Sequence, residues 1–252
     1  KVWLSGDGGA TWSAKTHPLL NFPQNVSHQS FFAESASVMF MSFWDLGLFK
    51  TTNGAATWSE ANTGITGHNA FNDNSLLHVP SNNRLLYATS YPFGFYLSID
   101  GGEVWDFVKN APNDKRVNGF RAIGSAIYTF GAGINKSNDN ALTWNAINDG
   151  TVGSCNTVLD ALVNKDATTF YSYAQEDCAY VPGYYLLTST NAGVDWTRAA
   201  ITNMPPRASS FVDRYNFHID GDGNLYLLIY NQAAGRSQLY KINPATNAAT
   251  HI

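Results

Sequence analysis

Charged side chains are scarce in this chain. Asp, Glu, Lys and Arg together supply 13% of its 252 residues, about half the usual share, so its polar surface must come from Asn, Ser, Thr and Gly. Basic residues are outnumbered 15 to 19, and the Lys and Arg are scattered without a basic run. Nothing therefore draws the molecule to nucleic acid or to anionic lipid. Long apolar runs are also missing. The nearest candidate, residues 38–43, is strand-length and far short of the roughly 20 residues a membrane helix needs, so membrane insertion is not expected. No stretch of about 11 residues repeats apolar positions at helical spacing, which leaves little room for helices.

Reactive motifs are equally sparse. GxSxG, GxGxxG and Walker patterns are absent, and none of the six His pairs with another at i, i+4. Serine-nucleophile, dinucleotide and zinc-protease chemistry are thereby excluded, and no cofactor is expected. The two cysteines, Cys155 and Cys178, have neither CxxC spacing nor a neighbouring His, so no metal site is expected. They are either a hairpin-to-hairpin disulfide or two buried free thiols. Asp220-Gly-Asp222-Gly-Asn224 superficially suggests a calcium loop. It lacks the Glu at the twelfth position and reads as a hairpin turn.

What is present is a repeat. Ser5-Gly-Asp7-Gly-Gly9-Ala-Thr11-Trp12 recurs as Thr51-Thr-Asn53-Gly-Ala55-Ala-Thr57-Trp58, Ser98-Ile-Asp100-Gly-Gly102-Glu-Val104-Trp105, Ser137-Asn-Asp139-Asn-Ala141-Leu-Thr143-Trp144 and Ser189-Thr-Asn191-Ala-Gly193-Val-Asp195-Trp196. Subtracting positions spaces the tryptophans by 46, 47, 39 and 52 residues, too regular for chance. The third-position Asp or Asn can accept N–H groups of its own turn, and Gly allows the positive φ the turn needs. These eight-residue boxes are therefore a folding device, and Asp7, Asp100 and Asp139 are not catalytic candidates.

Between boxes lie further strand-like runs. In the third unit they are Ser75-Leu-Leu-His-Val79, Arg84-Leu-Leu-Tyr-Ala-Thr89 and Phe95-Tyr-Leu-Ser98, with Asp106-Phe-Val-Lys109 following Trp105. Four short strands in about 45 residues predict one propeller blade. Inner and second strands occur five times, near Ser27, Ala70, Val117, Thr157 and Ser209, while the third strand occurs six times, from Val2-Trp3-Leu4 to Gln238-Leu-Tyr-Lys-Ile242. The expectation is an all-β propeller of four-stranded antiparallel blades, about six in number, filling residues 1–252 as one domain. Either the first blade lacks its inner strands or the C-terminal segment completes it. The ends read as mid-strand, without a signal peptide, which predicts a mature chain or a domain excised from a longer one.

The pattern Ser-x-Asp-x-Gly-x-Thr-Trp resembles the Asp-box, or BNR, propeller superfamily, whose members include sialidases, family 74 glycoside hydrolases (xyloglucanases), sortilin-type receptors and photosystem assembly factors. Two stretches are similar to the family 74 enzymes: Asp222-Gly-Asn-Leu-Tyr-Leu-Leu-Ile-Tyr230 with Gln238-Leu-Tyr-Lys-Ile-Asn-Pro-Ala-Thr-Asn247, and Trp44-Asp45-Leu-Gly47-Leu-Phe-Lys50. The second resembles the strand that presents a catalytic carboxylate in that family, with Leu48 where the family has a second Gly. The resemblance implies Asp45 as one carboxyl of an acid pair whose partner belongs to another propeller. The sialidase signature is missing: there is no Arg-Ile-Pro and there are only four Glu, and nothing fixes Arg121, Arg207 and Arg214 near one point.

Aromatic clusters complete the reading. Trp44, Tyr91, Phe93, Tyr96, Tyr180 and Tyr184 sit at strand ends or connections in the sequence, and their flat faces suit stacking on sugar rings. The loop at 175–183 would be rigidified if Cys178 were bonded to Cys155. Sequons occur at Asn25-Val-Ser27 and Asn135-Lys-Ser137. The function implied is a secreted or cell-surface module that binds or processes polysaccharide, alongside other modules of the same protein. The alternative is a non-catalytic protein-interaction scaffold.

Overall fold

Most of the inner elements follow from short runs rich in β-branched, aromatic or other apolar residues, broken by Gly, Asn and Asp turns. The computed structural model describes residues 2–15, 28–43, 46–66, 75–79, 83–89, 94–108, 117–148, 151–152, 155–156, 159, 161–176, 182–206 and 210–252. All regular structure among them is β. The chain forms two compact units, Lys1–Lys109 and Asn110–Ile252.

In the first unit, β1 (Val2–Leu4) and β2 (Ser13–Lys15) make a two-stranded sheet. Two four-stranded antiparallel meanders follow. The first runs β3 (His28–Ala33), β4 (Met39–Phe43), β5 (Gly47–Thr51) and β6 (Ser59–Glu60); the second runs β7 (Leu76–Val79), β8 (Arg84–Thr89), β9 (Gly94–Ser98) and β10 (Asp106–Phe107). In the second unit, β11 (Val117–Ile123), β12 (Ala126–Gly131), β13 (Ile134–Ser137) and β14 (Asn145–Asn148) form one such sheet, and a small hairpin pairs β15 (Thr151–Val152) with β16 (Cys155–Asn156). The sheet of β17 (Val163–Asn164), β18 (Phe170–Glu176), β19 (Pro182–Ser189) and β20 (Thr197–Ala200) comes next. The last sheet holds β21 (Ser210–Ile219), β22 (Leu225–Asn231), β23 (Arg236–Asn243) and β24 (Ala248–His251).

Burial explains the strand patterns. The second strands β4 and β12 are flanked on both edges and buried at every position, so they read as continuous, mostly apolar runs, whereas the second strand β22 of the last sheet alternates buried and half-buried positions. Outer strands such as β2 and β6 are exposed throughout. The cores sit between consecutive sheets. One packs Phe40, Leu48, Ala61 and Ile65 with Leu85, Tyr87, Tyr96 and Trp105; another packs Val2 with Met41, Phe43 and Phe49. In the second unit, Phe130, Ile134 and Leu159 pack with Phe170, Leu187 and Trp196, and Tyr173 and Leu186 pack with Phe217, Leu227 and Ile242.

The C-terminal segment resolves the alternative left by the strand count. β24 pairs with β23 at Tyr240↔His251 through Asn243↔Ala248. It is the fourth strand of its own sheet and does not complete the first. Its turn is also not a decayed box: Asn243 O accepts the Asn247 N–H at 2.8 Å and Asn243 Oδ1 accepts the Ala245 N–H. Among the described residues there are thus five complete four-stranded sheets and, in β1–β2, the outer half of another.

Candidate functional site

The five boxes close the third-to-fourth-strand connections with one hydrogen-bond pattern. In the first, the Ser5 hydroxyl donates to Asp7 Oδ1 at 2.8 Å and accepts the Gly9 N–H at 2.7 Å, while Asp7 Oδ1 accepts the Thr11 N–H at 2.8 Å. The Thr11 hydroxyl donates to Asp7 Oδ2 at 2.6 Å, and the Trp12 indole donates to Gly9 O. Asn53 and Asn191 do the same through Oδ1, accepting the Thr57 and Asp195 N–H groups, and Asp100 and Asp139 accept those of Val104 and Thr143. The Thr11 and Thr143 hydroxyls are the main reason that the Asp7 and Asp139 carboxyls are held down at about 2. The oxygens of both carboxylates are taken up by donors of their own turns. The tight turn requires left-handed backbone at two successive positions, and Ala55 and Ala141 adopt it at φ 63° and 69° where other boxes use Gly.

The Asp220 turn is built on the same principle. Asp220 accepts the Asp222 and Asn224 N–H groups on Oδ1, and the Asn224 amide and Tyr226 hydroxyl on Oδ2, each at 2.8–3.0 Å. Its oxygens are filled by protein donors, leaving a hairpin turn in place of a calcium loop. No cluster of three or more His, Cys, Asp or Glu suited to a metal occurs among the described residues.

Antiparallel order puts the second-to-third-strand connections at the sheet ends opposite the boxes. In the first unit, that between β4 and β5 carries Trp44 and Asp45, and that between β8 and β9 carries Tyr91 and Phe93. These four residues, and in the second unit Tyr180 and Cys178, lie outside the described residues, as does the side chain of Cys155 and hence the expected disulfide. The flanking strands are described. Immediately after Asp45 the backbone is clamped by Asn62, which accepts the Leu48 N–H at 2.7 Å and donates to Leu46 O at 3.1 Å. Gly47, between them, has φ 78°, and Gly94 begins β9 with φ 134° against the Phe107 ring. Asn62 was not legible as a site residue, because it acts across 14 and 16 positions without a local motif. Leu48 fills the core with no exposure, which explains a bulky residue where the resembled strand has Gly.

Two predicted stacking residues are interior. Tyr96 is fully buried, edge-on to Phe107, and its hydroxyl meets Thr66 Oγ1 at 2.8 Å and accepts the Thr66 N–H. Tyr184 is 4% exposed and belongs to the core of the last two sheets. Neither presents a face to a sugar, because both are packed within the cores between neighbouring sheets. The next residue, Tyr185, points the other way, half-buried beneath the Arg198 guanidinium at 5.1 Å and folded over Gly183. Arg121 is engaged by Asn164 Oδ1 at 3.0 Å, with burial lowering its pKa; the side chains of Arg207 and Arg214 lie outside the described residues. The Asn135 sequon is closed, since its amide donates to Thr129 Oγ1 inside the sheet and the side chain is buried; Asn25 is outside the described residues.

Consecutive four-stranded antiparallel meanders, four of the five described ones closed by a box, define a β-propeller of about six blades. Among solved structures the chain is similar to an ancestral GH74 enzyme, with a TM-score of 0.67 and 16% identity over 95% of this chain and 33% of that one. It is similar to YCF48 bound to D1 peptide at a TM-score of 0.63 and 15% identity, over 89% of this chain and 66% of that one. It also matches the extracellular domain of a one component system from B. thetaiotaomicron, at a TM-score of 0.61 and 12% identity over 94% and 29%. The chain therefore spans about one third of the enzyme's length. At such identities the likeness is one of fold. No family profile and no curated protein sequence matches the chain.

Proposed function

We propose that this protein is a secreted or cell-surface propeller module that binds polysaccharide through its second-to-third-strand connections. The observation that carries the reading is a coincidence of topology and composition. The connections β4–β5 and β8–β9 are equivalent in consecutive sheets, and both hold the aromatic residues a sugar ring requires: Trp44 in one, Tyr91 and Phe93 in the other. The strands leaving them start at glycines with left-handed backbone, Gly47 and Gly94, a geometry that turns the chain sharply at the rim. Asn62 fixes the backbone next to Asp45, which favours Asp45 as the polar group orienting a sugar hydroxyl. As one carboxyl of a glycosidase pair it would need a second, from a partner outside this chain.

Affinity electrophoresis through gels containing xyloglucan and other plant or bacterial glycans tests this. Retardation is expected, and Trp44→Ala or Tyr91→Ala is expected to weaken it about tenfold, the worth of one stacked ring at ~1.4 kcal/mol. Absence of retention on every glycan tried would remove the proposal. Reducing-sugar release that disappears in Asp45→Ala would extend it to chemistry; unchanged release would confine Asp45 to binding. A protein-interaction scaffold is the second reading, favoured by Trp3 and Trp12, which are exposed on the half-sheet.

A further inference from the structure

Lys50, Lys136 and Arg198 are half-buried cations that rest on electron-rich groups. Lys50 lies against Gly101 O and Glu103, Lys136 over the Tyr128 ring at 5.5 Å, and Arg198 over the Tyr185 ring at 5.1 Å. Arg121, in the second unit, departs from this pattern. It stands on β11, the first strand of its sheet, and reaches across to β17, the first strand of the next four-stranded sheet. There its Nε–H donates to Asn164 Oδ1 at 3.0 Å. That acceptor is a neutral amide. Nothing among the described residues accepts from the two Nη atoms. Burial lowers the pKa of this half-buried guanidinium, and no carboxylate counters the effect.

The acids of the neighbouring turns are committed elsewhere. Asp166, two residues beyond Asn164, accepts the Thr168 and Thr169 N–H groups on Oδ1 at 2.8 and 2.7 Å, together with the Thr168 hydroxyl. Asp220, in the corresponding turn of the last sheet, is filled by its own donors. Asn164 is itself held, because its Nδ2 donates to Asp166 O at 3.3 Å, and this directs Oδ1 to Arg121. A guanidinium fixed at Nε keeps the N–H donors of its two Nη atoms as a planar pair at the tip of the side chain. That pair matches the two oxygens of one carboxylate. A lone cation also suits a monoanion better than a phosphate dianion.

We infer that Arg121, positioned by Asn164, binds the carboxylate of an acidic sugar, a uronate, through an end-on pair of Nη–H···O bonds. The site lies toward the box end of β11 and β17, at the opposite end of their sheets from the second-to-third-strand connections. The choice of a sugar as the carrier of the carboxylate rests on the polysaccharide reading above. To that reading it adds a class of glycan, acidic and held partly by a salt-sensitive charge pair.

Titration calorimetry of the full chain with a galacturonate trisaccharide, and with a neutral xyloglucan oligosaccharide alongside, tests the inference. The uronate is expected to bind about tenfold more weakly to Arg121→Gln than to the unaltered chain, and to weaken as salt is raised. Asn164→Asp is the second variant. It gives Arg121 an internal carboxylate, so it is expected to weaken the uronate by a similar factor without lowering the melting temperature, a combination that a merely structural role for Asn164 would not produce. The neutral oligosaccharide is expected to bind every variant alike. Equal uronate affinity in the unaltered chain and Arg121→Gln would overturn the inference, as would no uronate binding up to about 10 mM. A preference for an acidic tripeptide over the uronate would overturn it too, by assigning the carboxylate to a polypeptide. If neutral glycans are still bound when one of these results is obtained, the polysaccharide reading stands without this site. If no glycan of either kind is bound, that reading falls with it.

Discussion

Gly64 is the position where a single methyl group should do most damage. It follows β6 with φ +89°, and an added Cβ would lie 2.0 Å from Trp105 O, 3.1 Å from its carbonyl carbon and 3.4 Å from its N. All three are backbone atoms of the next sheet, so no side chain can swing aside. Left-handed backbone alone costs an L-residue about 1–2 kcal/mol. Relieving a 2.0 Å overlap requires the turn to retreat by more than an ångström, which breaks the Trp105 N–H···O=C Thr63 bond of 2.9 Å and loosens Ile65, now 6% exposed, from the core. Those losses are worth about 1 and about 1–2 kcal/mol. Gly64→Ala should therefore destabilise the first unit by about 3–5 kcal/mol. Gly8→Ala is the control, since its φ of +70° is also left-handed but it has open space around it, and about 1 kcal/mol is expected. Urea unfolding followed by tryptophan fluorescence gives both values. Equal losses for the two variants would refute the claim that the turn after one sheet is wedged against the box of the next.

Two further outcomes follow from the turns and the core. The carboxyls of Asp7, Asp139, Asp166 and Asp220 are held at about 2 against an ordinary 3.8. A depressed folded pKa gives stability that is complete above the ordinary value and is lost as pH falls through the depressed one, so thermal stability should be level from neutrality to about pH 5 and decline between about pH 4 and 2. Asp139→Asn, which copies Asn53 and Asn191, should leave the melting temperature at pH 7 unchanged and make the acid decline shallower; a steeper decline contradicts the assignment. Tyr96→Phe should cost about 1 kcal/mol in urea unfolding by removing the bonds to Thr66, and should leave glycan retention intact. Lost retention without lost stability would return Tyr96 to the binding surface.

Where the sequence reading succeeded, the information was local. The box needs only eight residues to satisfy its own donors, so Asp7, Asn53, Asp100, Asp139 and Asn191 could be recognised as turn formers, and each is found accepting the amide four residues on. Strand positions in the third repeat were equally legible: the runs proposed from Ser75, Arg84 and Phe95 begin within one residue of β7, β8 and β9. Where it failed, the deciding contact was remote. Tyr96 and Tyr184 look like rim aromatics because they stand beside Pro- and Gly-containing connections, but the packing of neighbouring sheets covers both. Asn62 looks like ordinary turn material, and only the pairing of β5 with β6 brings it to the carbonyl of Leu46.

By itself the sequence determined the all-β class, the four-strand repeat and the third-strand excess, because each rests on periodicity and on turns that close within a few residues. Tertiary structure alone decided which tryptophans are covered, that β24 finishes its own sheet, and that the Asn135 sequon is shut. The reason is that a box satisfies its hydrogen bonds from within, whereas the burial of its indole depends on the preceding sheet, some 40 to 50 residues away in the chain. Spacing reveals that such a sheet should exist, and only the folded molecule reveals how closely it covers each indole.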